Sequence, residues 1–238
     1  MVELPIAGTS ALYTLNPSKI IALGLNYREH ISDDVMKDQN GHERVQPKEP
    51  VLFAMTPNIL IGPGEEIVIP SLLDDYGFDD LRVDYEGELA LVVKDRCRNV
   101  PPEEAFAHIF GFTCFNDVSC RNIQKSDPSG WFRGKSFDTF GPVGPVIVPV
   151  DTIGDAQALS IETRLNGETV QKSNTSMMLF SISELFSYIS RQFTLEPGDL
   201  IPTGTPGGVG KIKEGDIVEI EIGGIGTLVN GVRKERKE

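Results

Sequence analysis

The sequence predicts an α+β fold in which β-strands outnumber helices. Gly and Pro supply 24 and 16 of the 238 residues, about a sixth of the chain against roughly 12% in average usage. They separate short apolar runs, as turns separate strands. Apolar residues make up 39% of the chain and charged residues 24%, which is the normal globular range and excludes a mainly disordered protein.

Eight apolar segments bounded by turn residues are predicted to be strands. They span residues 20–25, 51–55, 83–93, 110–115, 143–148, 160–165, 216–222 and 226–232. Between Leu165 and Glu168 stands the pair Asn166-Gly167, the preferred sequence of a type I′ turn because both central residues there have positive φ. A β-hairpin is therefore predicted at this turn.

Helices are fewer, and the clearest predicted helix begins at Ser181. The Ser181 hydroxyl can cap the helix while Glu184 reaches back three residues later, which is the capping-box pattern. Four apolar residues then share one helical face. They are Ile182, Leu185, Phe186 and Ile189. This helix is predicted to cover a sheet.

The chain is predicted to form a short N-terminal arm, residues 1–17, and one main domain, residues 18–238. No repeat of 20 to 50 residues and no change of composition marks a second linker. Residues 33–48 are polar and lack apolar periodicity, so a surface loop is predicted there.

Charge and composition restrict the partners and the compartment. Lys and Arg total 22 against 35 Asp and Glu, a formal charge of -13, which argues against a nucleic-acid partner. No apolar run approaches the roughly 18 residues that cross a bilayer, and the first residues lack a signal-peptide pattern. The three cysteines form no C-x-x-C pair, which disfavours a disulfide framework or a thiolate zinc site. We expect a cytoplasmic protein without a membrane segment.

Three acids alternate along the predicted strand 83–93. Strand periodicity places Asp84, Glu86 and Glu88 on one face. Two carboxylates about 6.6 Å apart repel by about 2.5 kcal/mol at an effective dielectric of 20. A solvated outer face or a bound cation would offset that repulsion. Because the same face continues into the apolar Ala90 and Val92, the acids are expected where the strand enters a core.

Two further segments carry side chains suited to catalysis. A helix over residues 116–124 would align Asp117, Arg121 and Gln124 on one stripe, although Asp117 and Arg121 could equally form a surface ion pair. Lys135 lies among Gly and apolar residues, where a lysine is more commonly at the surface with its stem buried.

His30 follows the predicted strand 20–25, and Asp33 lies three residues after it. One helical turn would let Asp33 orient the imidazole, as a general base requires. The Gly-rich segment 203–210 lacks the spacing of a phosphate loop, but its backbone amides could bind a carboxylate.

In this combination of motifs the chain resembles the fumarylacetoacetate hydrolase family, especially its small acylpyruvate hydrolase and 2-hydroxyhepta-2,4-diene-1,7-dioate isomerase branch. The resemblance covers about residues 18 to 232. The motifs are Gly24-Leu25-Asn26-Tyr27 with His30, Glu86-Gly87-Glu88-Leu89, Asn116-Asp117 with Arg121 and Gln124, Gly134-Lys135-Ser136-Phe137-Asp138, and Thr203-Gly204-Thr205-Pro206-Gly207-Gly208-Val209-Gly210. Each motif is weakly specific, but five in the family's order are strongly specific.

The resemblance implies a β-rich mixed roll with a few short helices, a homodimer, and a Mg²⁺ or Mn²⁺ ion. Its implied metal ligands are Glu86, Glu88 and Asp117, and an all-oxygen ligand set also suits a hard cation. It further implies a set of catalytic and substrate-binding residues. These are His30 with Asp33 or Glu29 to activate water, Arg121, Gln124 and Lys135 as donors to the reacting oxygen, and Tyr27, Gly204 and Thr205 to hold a small 2-oxo or diketo acid.

The implied activity is hydrolysis of a C–C bond in 1,3-diketo acids of the acylpyruvate or fumarylpyruvate type through a metal-bound pyruvate enolate. The same enolate chemistry without attack by water gives an alternative, an isomerase, tautomerase or decarboxylase of 2-oxo diacids such as oxaloacetate. A third hypothesis is a noncatalytic, metal-stabilised binding protein. His30 beside a loop argues against that hypothesis, because a purely structural metal would not need it.

Overall fold

The computed structural model describes residues 1–31, 46–128 and 131–237. The described residues form four α-helices, α1 Arg28–Ile31, α2 Arg121–Ser126, α3 Phe132–Lys135 and α4 Ile182–Gln192. The strands are β1 Val2–Pro5, β2 Leu12–Leu15, β3 Ile20–Gly24, β4 Val51–Met55, β5 Leu60–Ile61, β6 Ile67–Ile69, β7 Val83–Tyr85, β8 Gly87–Val93, β9 Ile109–Asn116, β10 Ser119–Cys120, β11 Gly141–Pro149, β12 Ser160–Leu165, β13 Glu168–Asn174, β14 Leu200–Pro202, β15 Gly210–Lys211, β16 Ile217–Ile222 and β17 Gly226–Lys234.

These strands make a mixed set of sheets. The largest has the order β4-β3-β14-β8-β9-β11-β5, and a second has the order β13-β12-β16-β17-β6. Two small sheets, β1-β2 and β10-β7-β15, complete the set. Because β14 pairs parallel to β3, β11 to β5 and β17 to β6 while the other pairs are antiparallel, the predicted β-rich mixed architecture is confirmed.

Strand β8 separates two apolar cores. Leu89 and Leu91 on one face join a large core with the five-stranded sheet and α4, whereas Ala90 and Val92 on the other face join a second core. The hairpin β1-β2 packs into that second core through Val2, Leu4 and Leu15. The acids therefore lie where the chain enters a strand that is buried on both faces, as the sequence pattern predicts.

Local signals in the sequence place several elements correctly. Asn166 and Gly167 have φ of 53° and 82°, and β12 and β13 pair antiparallel across them, which confirms the hairpin. Helix α4 begins with the predicted capping box, in which Ser181 and Glu184 each bond to the other's backbone N–H. No helix in the described ranges is long and apolar enough to cross a membrane.

Two predicted elements are wrong in ways that matter for the site. Residues 83–93 are not one strand, because the chain leaves β7 at Tyr85 and begins β8 at Gly87, with Glu86 between them. Asp117 is not helical, since it lies between β9 and β10 and helix α2 begins only at Arg121. The helical stripe of Asp117, Arg121 and Gln124 therefore does not form.

Candidate metal centre and active site

The site is built where the chain passes from one sheet to another. Strand β7 pairs with β10 and β15, whereas β8 pairs with β9 and β14. At the junction the Glu86 N–H donates to Asn116 Oδ1 at 3.0 Å, and the Asp117 N–H donates to the Glu86 carbonyl at 2.9 Å. These two bonds lock the backbones that carry Glu86 and Asp117 side by side.

Three buried carboxylates converge at this junction. Glu86, Glu88 and Asp117 each place an oxygen so that all three atoms lie within 4.8 Å of one another. Glu88 Oε2 accepts a hydrogen bond from the Gly204 N–H at 2.8 Å. Glu88 Oε1 and Asp117 Oδ1 are buried and accept no hydrogen bond from the described part of the chain.

Lys135 lies against the same carboxylates. Its Nζ donates to Glu86 Oε2 at 2.9 Å, to Asp117 Oδ2 at 2.5 Å and to Ser119 Oγ at 2.8 Å. Its side chain is only 2% exposed, so Lys135 is not the surface lysine that its sequence context favours. Helix α3 and the 5.0 Å approach of Nζ to the Phe53 ring hold it there.

Arg121 is the second buried cation. Its Nη2 lies 2.5 Å from Glu86 Oε1, and its Nε donates to Asp84 Oδ2 at 2.8 Å. Asp84 is thereby drawn away from the carboxylate cluster and also pairs with Arg82, whose side chain is 36% exposed. Asp84 is thus balanced by Arg82 and Arg121. The three remaining buried acids face only the buried cations Lys135 and Arg121, and this excess of negative charge favours a bound cation.

The carboxylates have very different proton affinities. Burial raises the pKa of Asp117 to about 7 even though Lys135 opposes the shift. Burial and the charges of Asp117 and Glu86 raise the pKa of Glu88 well above its usual range. Burial also acts on Glu86, but the charges of Lys135 and Arg121 outweigh it and lower its pKa to about 2. Glu86 is therefore the member of the cluster that is ionised at neutral pH.

The cluster adjoins a narrow cleft. Six of its lining residues belong to the predicted site, Thr205 and five predicted catalytic or metal-binding residues. The five are His30, Glu86, Arg121, Gln124 and Lys135. The apolar side comes from Leu23, Leu25, Phe53 and Trp131. His30 is buried in the one-turn helix α1 and so shares the cleft wall with the carboxylate cluster.

The other predicted site residues are held in different ways. Gln124 Oε1 accepts from Arg121 Nη1 at 3.0 Å. Thr205 also lines the cleft, but its hydroxyl donates to the Gly87 carbonyl at 3.0 Å and accepts from Gln171 Nε2 at 2.9 Å. The Tyr27 hydroxyl is buried without a hydrogen-bond partner among the described residues. Burial, with the charges of Glu88 and Glu29, raises its pKa.

Of the two acids proposed to orient His30, only Glu29 lies within the described residues. Asp33 and most of the predicted 33–48 loop lie outside the described residues. Glu29 is in helix α1, and its Oε2 accepts from Ser173 Oγ at 3.1 Å. This bond attaches Glu29 to strand β13.

Several structural residues of the site were not identified from the sequence. Gln171 bonds to the Gly87 N–H through Oε1 and to the Pro206 carbonyl through Nε2, so it ties the acidic strand to the Gly-rich turn. Asn26 donates to the Thr203 carbonyl at 2.8 Å and accepts from the Phe180 N–H at 2.9 Å. Asn26 stands within a recognised motif, but nothing near Gln171 in the sequence suggests its role.

The residues present fit a hard divalent cation. The three converging side chains offer only oxygen atoms, and two of those oxygens are buried without a donor. Buried polar atoms are normally satisfied, and carboxylates are the usual ligands of Mg²⁺, Mn²⁺ and Ca²⁺. The donor set therefore supports a metal centre formed by Glu86, Glu88 and Asp117.

Comparison with known families agrees with this geometry. Residues 19–233 match the fumarylacetoacetate (FAA) hydrolase C-terminal family. The chain belongs to the fumarylacetoacetate hydrolase family. The mixed sheets and short helices described above are thus a fumarylacetoacetate hydrolase C-terminal fold, as the sequence motifs imply, and members of this family include hydrolases, isomerases and tautomerases.

Three relatives show the range of activities among similar members of the fumarylacetoacetate hydrolase family. A mitochondrial oxaloacetate tautomerase of Rattus norvegicus is 38% identical, over 97% of this chain and 72% of its own. The structure of 2-hydroxyhepta-2,4-diene-1,7-dioate isomerase from Mycobacterium marinum is 36% identical with a TM-score of 0.80, covering 96% of this chain and 83% of its own. Fumarylpyruvate hydrolase from Pseudomonas aeruginosa, in complex with Mn²⁺ and pyruvate, is 27% identical with a TM-score of 0.84, covering 98% and 96%.

Proposed function

We propose that this protein is a divalent-metal-dependent hydrolase that cleaves a C–C bond in 1,3-diketo acids of the acylpyruvate or fumarylpyruvate type. The observation that carries the proposal is the buried cluster of Glu86, Glu88 and Asp117, with two unsatisfied oxygens, beside a cleft that His30 lines. The fumarylpyruvate hydrolase that holds Mn²⁺ and pyruvate shares the fold over nearly its whole length. The carboxylate cluster and the similarity to a pyruvate-bound relative together support a small 2-oxo acid as the substrate.

Glu86, Glu88 and Asp117 would hold Mg²⁺ or Mn²⁺. The bound ion would supply a Lewis acid that takes up negative charge as the C–C bond breaks. The protein prepares this ligand set in advance, since the Gly204 amide fixes Glu88 and the Asn116 side chain fixes the backbone at Glu86. Side chains fixed in this way lose little conformational freedom when the cation binds.

His30 is proposed to act as a general base that takes a proton from water. The water oxygen would then attack the substrate carbonyl that is remote from the carboxylate. This role is supported by the shared cleft wall, since His30, Lys135 and Gln124 line one small volume. Either Glu29 or Asp33 would orient the imidazole. Glu29 is already tied to Ser173, so this role would require it to contact both groups or to exchange between them.

Lys135, Arg121 and Gln124 are proposed to donate to the oxyanion that forms on the attacked carbonyl. Arg121 Nη1 donates to Gln124 Oε1 and so fixes the orientation of the amide. The Nε2 of Gln124 would be its donor to the oxyanion. Low exposure strengthens such bonds because water does not compete for them. Both cationic side chains are at most 3% exposed.

Tyr27, Gly204 and Thr205 are proposed to support substrate binding. The buried Tyr27 hydroxyl is the one of the three with donor capacity that no described residue uses. The Gly204 amide and the Thr205 hydroxyl already bond to Glu88 and Gly87. These two are proposed to shape the cleft wall and the metal ligands rather than to contact substrate through those atoms.

The decisive experiment is a spectrophotometric assay of acetylpyruvate and fumarylpyruvate cleavage with Mg²⁺ or Mn²⁺, combined with calorimetric metal titration of Glu86→Gln and Asp117→Asn. Each variant replaces an anionic ligand by a neutral amide, so metal affinity and turnover should both fall. Glu162→Gln, at a surface ion pair of β12, is the matched control and should behave as wild type. Unchanged metal affinity in both site variants would refute the ligand assignment.

A second candidate function is tautomerisation, isomerisation or decarboxylation of 2-oxo diacids. It is favoured by one observation, the 38% identity to an oxaloacetate tautomerase, which exceeds the 27% identity to the fumarylpyruvate hydrolase. Enolisation of oxaloacetate without cleavage of either diketo acid would select it. If His30→Ala abolished diketo-acid cleavage but left oxaloacetate enolisation intact, the two reactions would depend on different residues. Metal binding without turnover of any of the three compounds would select a binding protein.

We also propose that the protein works in the cytoplasm, as expected from its sequence pattern, and that it is a homodimer, as the family resemblance implies. Light scattering during size-exclusion chromatography tests the dimer, and a mass of one chain, 26.1 kDa, would contradict it.

A further inference from the structure

A second cluster of ligand-type side chains lies at the far end of β8. Asp95, Cys97 and His108 place a carboxylate oxygen, a thiol sulfur and an imidazole nitrogen within 4.8 Å of one another. Val93 lies five residue steps along the strand from Glu88, which puts this cluster about 17 Å or more from the acidic centre at 3.3 Å per residue. The two groups are therefore independent sites.

The backbone around this second cluster is firmly held. The Lys94 N–H donates to the His108 carbonyl at 2.8 Å, just beyond the pairing of Val93 with Ile109. Cys97 exchanges two backbone hydrogen bonds with Leu195, of 3.1 and 3.0 Å. The segments that carry the three side chains are thus positioned by main-chain bonds.

Exposure provides a path for an ion. His108 Nδ1 lies 2.7 Å from Asp95 Oδ1, and their side chains are 27% and 48% exposed, whereas Cys97 is 7% exposed. An ion can therefore approach from the solvent side, where the imidazole and carboxylate can rotate, and meet the sulfur at the base. Tetrahedral zinc ligands lie roughly 3.5 Å apart, so small rotations of the two exposed side chains would bring the three atoms into range.

We propose that Asp95, Cys97 and His108 form a second metal site, specific for a borderline divalent ion of the zinc class. Sulfur and imidazole ligands select zinc, cobalt or nickel over magnesium and manganese, the reverse of the preference of an all-carboxylate centre. On binding, the Cys97 thiol releases its proton to solvent, so thiolate and carboxylate neutralise the divalent charge. Water would complete four coordination.

Such a site would be structural, because the bound ion would link separate segments of the chain. The ion would join the turn after β8 to the 3₁₀ helix Pro102–His108 that precedes β9. Cys97 is itself bonded to Leu195, which follows α4. A metal here would therefore link three segments at the edge of the main sheet, and removing it should lower thermal stability without removing the chemistry proposed for the acidic centre.

Cobalt is the probe for this site, because thiolate ligation gives Co²⁺ a sulfur-to-metal charge-transfer band that oxygen ligands cannot produce. Co²⁺ should be titrated into the purified full chain in saturating Mg²⁺, which fills the carboxylate centre. The band should reach its maximum at one equivalent and disappear when Zn²⁺ is added. Wild-type protein that shows no band would overturn the proposal.

Variants assign the ligands. Cys97→Ser should abolish the band, and His108→Gln and Asp95→Asn should each weaken Co²⁺ affinity at least tenfold. Cys114→Ala, which removes a buried thiol elsewhere in the core, is the matched control and should retain the band. A band that survives Cys97→Ser, or that is lost in a Cys114→Ala protein with wild-type circular dichroism, would overturn the assignment.

The same titration separates this site from the proposed enzyme activity. Glu86→Gln should lose Mg²⁺ binding and turnover but keep the cobalt band. Cys97→Ser should lose the band while keeping turnover at temperatures where it is folded. If Glu86→Gln lost the band and Cys97→Ser kept it, the proposed second site would be wrong, while the assignment of the acidic centre would be unaffected.

Discussion

At the scale of single residues, the site depends on the hydrogen bonds that the Lys135 ammonium group donates to several side chains at once. One ammonium group bonds to Glu86, to Asp117 and to the Ser119 hydroxyl, all within 3 Å and away from water. Burial alone would lower the pKa of Lys135, but the adjacent carboxylates of Asp117 and Glu86 raise it above its usual value. Lys135 therefore stays charged, so it compensates the acids and competes with any cation that they bind.

Replacing Lys135 by Met tests both roles. Turnover should fall by about 10² or more, the cost of removing an oxyanion donor. Divalent metal should bind more tightly, by at least tenfold, because a positive charge next to the ligands has been removed. Steady-state kinetics and calorimetric titration of the same preparation measure the two effects. Near wild-type turnover would place Lys135 outside the chemistry.

The raised pKa values of Asp117 and Glu88 predict an unusual pH dependence in metal-free protein. Asp117 titrates at about 7 when folded but near 3.9 when unfolded, so between these values the folded state binds more protons. Stability of the metal-free protein should therefore fall as pH rises from about 4 to 7. Below pH 4 this contribution is constant.

Urea denaturation in chelator at several pH values measures this slope. Asp117→Asn, which cannot ionise, should flatten the slope over the same range. Metal affinity of the wild-type protein should rise with pH through about 7, because the proton and the cation compete for Asp117. A metal-free stability that increases between pH 5 and 7 would contradict the assignment.

At the scale of elements, the Gly-rich turn 203–208 does more than bound the cleft. The Gly204 amide holds Glu88, and a Cβ on Gly204 would lie 2.8 Å from the Cβ of Asn26. A Cβ on Gly207 would lie 3.0 Å from the Cβ of Glu29. The turn therefore packs closely on the segment that carries His30, which explains why two distant Gly-containing motifs belong to one site.

Gly204→Ala should damage both stability and activity. The residue has φ of +95°, a conformation that costs a side-chain-bearing residue about 1–2 kcal/mol, and the clash with Asn26 would displace the amide that holds Glu88. Gly167→Ala, at φ of +82° with nothing within 4 Å of its Cβ, is the matched control. It should lose less stability, because only the φ cost applies, and it should keep metal affinity and turnover. Equal activities in the two variants would show that the Gly-rich turn does not maintain the geometry of the site.

At the scale of the whole molecule, the acidic centre is a meeting point of separate sheets. Glu86 stands between a strand of the three-stranded sheet and a strand of the seven-stranded sheet, and Asp117 lies at the corresponding break between β9 and β10. Gln171, on β13 of the five-stranded sheet, bonds to the same junction through Gly87. The three clustered carboxylates therefore have their geometry only when all three sheets are assembled.

Mn²⁺ or Mg²⁺ should consequently stabilise the whole fold. An ion that binds only the folded state adds about 2.7 kcal/mol at 100 times its dissociation constant, so the melting temperature should rise with metal concentration. Glu86→Gln should remove most of this rise, and Cys97→Ser should not. Thermal denaturation at a series of Mn²⁺ concentrations provides the measurement. A shift that is identical in Glu86→Gln would mean that the ion binds elsewhere.

Much of the fold follows from local signals. Turn chemistry at Asn166-Gly167, capping at Ser181 and alternation along residues 87–93 each act over a few residues, so they can be read from the sequence. Strands of two or three residues, such as Leu60–Ile61 and Leu200–Pro202, were missed because they are too short to show a period. Their pairing depends on distant partners.

The sequence by itself determined the strand-rich α+β architecture, the family and the convergence of the acidic motifs. Only the tertiary structure decided that the strand breaks at Glu86, that Asp117 is not helical, and that Asp84 pairs with Arg121 instead of joining the cluster. The reason is range. Periodicity reports on neighbours a few residues apart, whereas the bonds that set the site join distant residues such as Glu88 and Gly204, 116 positions apart along the chain.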